Sequence, residues 1–198
     1  MNPTDAPFNI TEGLQKYPKI LDYSPKYAGL RGAVAFEKHD GSNIMWLWDG
    51  RGFGAPRFRS GRLVSEEWVA FVQDVEPSVL RPPEAAARAL SGASDGAFFS
   101  EFRGDKSFSG LHVPGDPKRA HPIDLWVGGR GFMPPAEFSR VFGVPTVYSG
   151  TLTAKFVEDV RSGRLGVNEG VVVKGGDWGS VWCCKIKTRE WLARGGEA

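Results

Sequence analysis

Short apolar runs of strand character recur through this chain, separated by turns rich in glycine, and helical stretches interrupt them irregularly. A parallel sheet needs a crossover helix between successive strands, whereas antiparallel strands can follow one another through short turns. The pattern therefore favours an α+β fold with largely antiparallel sheets and flanking helices over a regular βαβ alternation. Twenty-six glycines and fourteen prolines among 198 residues supply the turns. Seven tryptophans suit a sheet-rich core with aromatic surfaces.

The runs place strands at 32–38 and 43–48 around a turn at 39–42, where Asp40-Gly41 reads as a hairpin signal. A third strand is expected to end near Arg59-Ser60-Gly61. Trp68, Val69, Phe71, Val72 and Val75 recur at helical spacing, with Ser65 as N-cap, which predicts a helix over 66–75. Further helices are expected over 83–90, 136–142 and 153–161, the last two stopped by Gly143 and near Gly163. Strands are expected over 97–103, 123–127, 169–174 and 180–187, with a long glycine- and proline-rich loop over 104–117.

Several classes can be set aside. The N-terminus has neither a basic start nor an apolar run, so it does not read as a secretory signal, and no stretch approaches the length of a membrane span. Cys183 and Cys184 are adjacent with no third cysteine to pair with, which points to a reducing, cytoplasmic setting. There is no P-loop, no dinucleotide fingerprint, no nucleophile elbow and no zinc spacing. A net charge of +2 means that any affinity for nucleic acid must come from a local basic patch.

What remains is a set of charged residues on strands. Lys38 stands at the lip of the first turn. Strand alternation puts Val181, Cys183, Lys185 and Lys187 on one face and Trp182, Cys184 and Ile186 on the other. Two lysines on one face repel unless an anion or acids neutralise them; a solvated edge strand guarded by lysines is the competing explanation. Glu101 sits among Phe98, Phe99 and Phe102, where a carboxylate needs a partner. Arg57 and Arg59 flank Phe58 and are expected to face the same way, as a surface pair or a phosphate clamp.

The order of these residues is more informative than any one of them. Glu37-Lys38-His39-Asp40-Gly41, then Arg59, Glu101, Glu169-Gly170-Val171-Val172-Val173-Lys174 and Lys185-Ile186-Lys187 resembles the motif series of covalent nucleotidyltransferases. That superfamily includes ATP-dependent DNA ligases, RNA ligases and mRNA capping enzymes. Asn43, two residues after the motif glycine, makes the chain most similar to RNA ligases of the phage nick-sealing and trypanosome RNA-editing type, where DNA ligases and capping enzymes usually carry arginine. Asp40 departs from the histidine often found in those RNA ligases.

The resemblance implies a ligase adenylation domain spanning 1–198, without an appended OB-fold or C-terminal nucleic-acid-binding domain. Lys38 would attack the α-phosphate of ATP, expel pyrophosphate and carry AMP. A free lysine titrates at about 10.4 and must be desolvated or surrounded by cations before it can attack at neutral pH. Glu37, Asp40, Asn43, Arg59, Glu101, Ile123, Glu169, Lys185 and Lys187 would line the nucleotide site, with Glu101 on the ribose and Ile123 in place of the usual aromatic platform before Asp124. Glu169 would organise Mg2+ or Mn2+. The implied partner is RNA, as a nicked duplex or an RNA/DNA hybrid, and no membrane; nucleic-acid binding would fall to a protein partner, to the N-terminal segment with Tyr17, Lys19, Tyr23, Lys26 and Tyr27, or to the catalytic domain itself. Joining of DNA nicks, nucleotidylation of another end, or an inactive nucleic-acid-binding module of the same fold are the alternatives.

Overall fold

The computed structural model describes residue 14 and residues 16–75, 81–107 and 112–195. The elements run β1 (Ala33–Lys38), β2 (Ser42–Trp48), β3 (Arg57–Phe58), α1 (Glu66–Val75), α2 (Glu84–Leu90), β4 (Gly96–Arg103), β5 (Arg119–Val127), β6 (Gly131–Phe132), α3 (Pro135–Phe142), β7 (Tyr148–Gly150), α4 (Ala154–Arg161), β8 (Gly170–Gly175), β9 (Trp182–Lys187) and α5 (Arg189–Ala193). They form a four-stranded sheet ordered β7-β1-β8-β9 and a five-stranded sheet ordered β3-β2-β4-β5-β6. The ladders of β1 and β8, and of β2 and β4, with their neighbours are antiparallel, so the α+β reading holds. Two compact units follow these sheets. Among the described residues, one contains 18–39 and 132–195, the other 14, 16–17, 40–75, 81–107 and 112–131.

In the first unit, alternation along β1, β8 and β9 splits the sheet into two different faces. Ala33, Ala35, Val171, Val173, Trp182, Cys184 and Ile186 pack with Phe156, Val157 and Val160 of α4. Burying each of the valine, isoleucine and phenylalanine side chains contributes about 1.5–3 kcal/mol. Thr153 starts α4 by accepting the Phe156 amide at 3.1 Å, and the prediction over 153–161 matches to within one residue. On the opposite face, Phe138 of α3 meets Phe36 edge-on at 6.2 Å. Gly143 ends α3 in the left-handed region, φ +64°, as its position after the helical pattern predicted.

In the second unit, Ile44 and Phe102 pack against Val64 and Trp68, covering one face of the five-stranded sheet with α1. Ser65 caps α1 through its hydroxyl to the Trp68 amide. Strand β5 starts at Arg119 rather than 123, because the sequence pattern broke at Pro122. Phe99 faces Asp124 while Ser100 faces Pro122, so Ile123 is the extra residue of a bulge. Proline, which has no amide to donate to a ladder, is tolerated in a strand at such a point.

The predicted hairpin at Asp40-Gly41 is corrected. Strand β1 pairs with β7 and β8, and β2 with β3 and β4, so this segment carries the chain from one sheet to the other. Neither Asp40 nor Gly41 adopts a positive φ. Glycine is required at 41 for space instead: a Cβ there would lie 2.2 Å from the Phe102 carbonyl oxygen.

Candidate functional site

Lys38 ends β1 opposite Gly170, and Gly170 faces Lys187 across the next ladder. The three residues therefore form one row across three strands, with a bare centre. Gly170 has φ +151°, and a Cβ on it would meet the Ile186 carbonyl oxygen at 2.1 Å. Glu169, immediately before β8, reaches into this row. Its Oε1 accepts from Lys38 Nζ at 2.7 Å and lies 3.6 Å from Lys187 Nζ. Glu169 is 3% exposed, and the Lys187 side chain 8%. A solvated edge guard would not be buried in this way, so the edge-strand explanation fails for Lys187. The second carboxylate oxygen, Oε2, is buried and has no hydrogen-bond partner among the described residues.

Two rows along, Phe36, Val172 and Lys185 line up on the same face. Lys185 lies 3.7 Å from Asp22, and backbone bonds Lys185 N–H to Leu21 O and Tyr23 N–H to Lys185 O cover the outer edge of β9. Lys174 shares this face too, with its ammonium 5.6 Å from the Phe36 ring and 5.7 Å from Phe138, and is 3% exposed. Strand parity in the sequence could have placed it there, since Gly170, Val172 and Lys174 alternate. Glu37 is not part of the cluster: parity turns it to the opposite face, where it is exposed opposite Val171.

Five other predicted residues belong to the second unit. Asn43, Glu101 and His121 form a row across β2, β4 and β5, on the face opposite α1. The Asn43 side-chain oxygen is buried without a hydrogen-bond partner among the described residues. Ile123 occupies the bulge, half-buried. Arg59 is exposed in the turn after β3, where its Nε donates to the Tyr17 carbonyl at 3.4 Å. Arg57 donates to Gly61 O at 3.0 Å and closes its own turn, while Arg59 lies just beyond the end of β3. Asp40 presents its carbonyl to the His112 ring at 2.9 Å.

Sequence reasoning missed the role of Tyr17. Its hydroxyl donates to Asp124, which is 2% exposed, and its ring lies tilted against Phe99 with centroids 4.8 Å apart. Both cysteines are buried and outside any disulfide, and burial, with Asp22 nearby, pushes the Cys184 thiol up to about 12. Burial likewise raises Tyr27, with smaller contributions from Cys184 and Cys183.

The folds of several RNA ligases are similar to this one. An archaeal ATP-dependent RNA ligase superposes with a TM-score of 0.65 at 18% identity, over 90% of this chain and 50% of that one. A Naegleria gruberi RNA ligase with PPi gives 0.59 at 15% identity, over 96% and 62%. A mutant of the Naegleria gruberi enzyme with AMP and Mn gives 0.59 at 17% identity, over 95% and 59%. The chain thus spans half to just under two thirds of the length of these ligases. No protein-family model matches the chain, and no curated protein matches it in sequence. No helix among the described residues is long and apolar enough to cross a membrane.

Proposed function

We propose that this chain is an ATP-dependent RNA ligase of the nick-sealing type, acting through AMP carried on Lys38. The observation that carries the reading is the convergence of Lys38 and Lys187 on one buried oxygen of Glu169, whose other oxygen is unpartnered. Two cations and an acid on adjacent strand ends can hold a phosphate and present an amine to it. Lys38 rests against Glu169, and before it attacks it must give up that contact and lose its proton to solvent. The neutral nitrogen then forms a bond to the α-phosphorus while the bond from that phosphorus to the bridging oxygen breaks, and pyrophosphate leaves. Lys187 and Lys185 would stabilise charge on the phosphoryl oxygens. Glu101 and Arg59 would bind the ribose and phosphates, Asn43 the acceptor end, and Ile123 an aliphatic platform for the base.

The buried, orphaned Glu169 Oε2 fits a divalent cation. Among the described residues no cluster of three ligating side chains exists, so of this chain's carboxylates Glu169 would hold Mg2+ or Mn2+. Bound there, the ion would neutralise phosphate charge.

The acceptor in this reading is a 5′-phosphate RNA end beside a 3′-hydroxyl, held in line by a complementary strand, which removes much of the entropy cost of alignment. The buried thiols fit a cytoplasmic setting. Incubation with ATP labelled at the α-phosphate and Mg2+ should leave covalent label on the protein, and addition of a nicked duplex with RNA termini should yield joined strands. Label with no joining on any nicked substrate would remove the ligase assignment; absence of label would remove the class.

A further inference from the structure

Strands β4 and β5 set Arg103 directly opposite Arg119. Residues opposite each other in an antiparallel pair project from the same face with Cβ atoms about 4.5–5.5 Å apart, and like charges so placed repel. Among the described residues neither guanidinium makes an ion pair or a hydrogen bond. Arg103 is half-buried and Arg119 exposed. Glu101, on the neighbouring row, forms no ion pair with either. An unrelieved pair of this kind is suited to an anion: two guanidinium forks can each make bidentate contacts to phosphate oxygens.

The placement of the pair says which anion. Parity puts Arg103 and Arg119 on the same face as the Asn43–Glu101–His121 row, two residues further along their strands, which is about 6.8 Å. Asn43, which the ligase reading puts at the acceptor end, stands in that row, so an anion held by the two arginines would be a phosphate of the strand being joined. We infer that Arg103 and Arg119 form a phosphodiester clamp for the RNA strand, seating it on the face that carries Asn43. This deepens the ligase reading and rests on it only for the identity of the acceptor.

The test uses the full chain and a fluorescent nicked duplex with a 5′-phosphorylated RNA terminus, comparing wild type with Arg103→Gln, Arg119→Gln and the double variant across a salt series. Each phosphate contact contributes about 0.9 to the slope of log affinity against log salt, hence roughly eightfold in affinity at 0.1 M. Each single variant should lose about that much and flatten the slope by about 0.9. Melting temperature should hold or rise, because a repulsion is relieved, and covalent labelling by ATP should be unchanged. Arg103→Lys/Arg119→Lys should keep most of the affinity. Unchanged affinity and slope in the double variant would overturn the clamp, as would weaker ATP labelling with RNA binding intact, or a loss of binding that tracks a fall in melting temperature. If wild type binds RNA through these arginines yet takes no label from ATP, the ligase reading falls and the clamp stands.

Discussion

Replacing Glu169 by glutamine would leave two ammonium groups facing each other with no carboxylate between them. Lys38 and Lys187 lie 2.7 and 3.6 Å from the same oxygen, so their nitrogens are no more than 6.3 Å apart, the two distances laid end to end. At an effective dielectric constant of about 20, two unit charges at that separation repel by roughly 2.6 kcal/mol. Removing one member of a buried ion pair costs about 3–5 kcal/mol in general, which the repulsion here largely accounts for. A loss of about 3 kcal/mol corresponds to a fall in melting temperature of roughly 6–12 °C in a chain of this size. Thermal and urea denaturation in phosphate-free buffer would measure it. Adding Lys187→Met to Glu169→Gln should recover part of the loss, because it removes the second charge. A fall below about 2 °C, with no recovery in the double variant, would refute the claim that Glu169 holds these amines together.

Gly41→Ala should destabilise by about 1–3 kcal/mol, the usual range for overpacking, because its Cβ would strike the Phe102 backbone 2.2 Å away; an unchanged urea midpoint would contradict this. Tyr17→Phe should cost about 1–3 kcal/mol by removing the donor to buried Asp124, read in the same denaturation assay, and equal stability would show that the bond is dispensable. Cys184 ionises near 9 when unfolded and at about 12 when folded, so its contribution to stability is complete below about pH 9 and is lost as pH rises toward 12. Cys184→Ala should flatten the decline in stability over that window; an unaltered alkaline profile would contradict the buried-thiol account.

Elements with a strong period were legible in the chain, and those that depend on tertiary space were not. Trp68, Val69 and Phe71 declared α1, and Thr153 and Gly143 marked helix ends through local chemistry. Alternation placed Trp182, Cys184 and Ile186 in the core, and Lys185 and Lys187 away from it. Asp40-Gly41 misled because glycine there makes room for the Phe102 carbonyl, a contact sixty residues away in sequence that no local rule reports. Pro122 hid the first half of β5, since a bulge looks like a strand boundary until its partner strand is known. The short strands β6 and β7 carry too few residues to show a period. At the site, parity alone put Lys185 and Lys187 on one face, but that Lys38 joins them, and the part played by Glu169, needed the row through Gly170 to be seen.

The most direct measurement is the site of nucleotide attachment. After incubation with ATP and Mg2+, intact mass should rise by one adenylate, and peptide mapping should place it on Lys38. Lys38→Arg should take up none while melting like wild type, because an arginine guanidinium stays protonated and cannot attack. An adenylate mapped to any other residue, or one still formed on Lys38→Arg, would contradict the account.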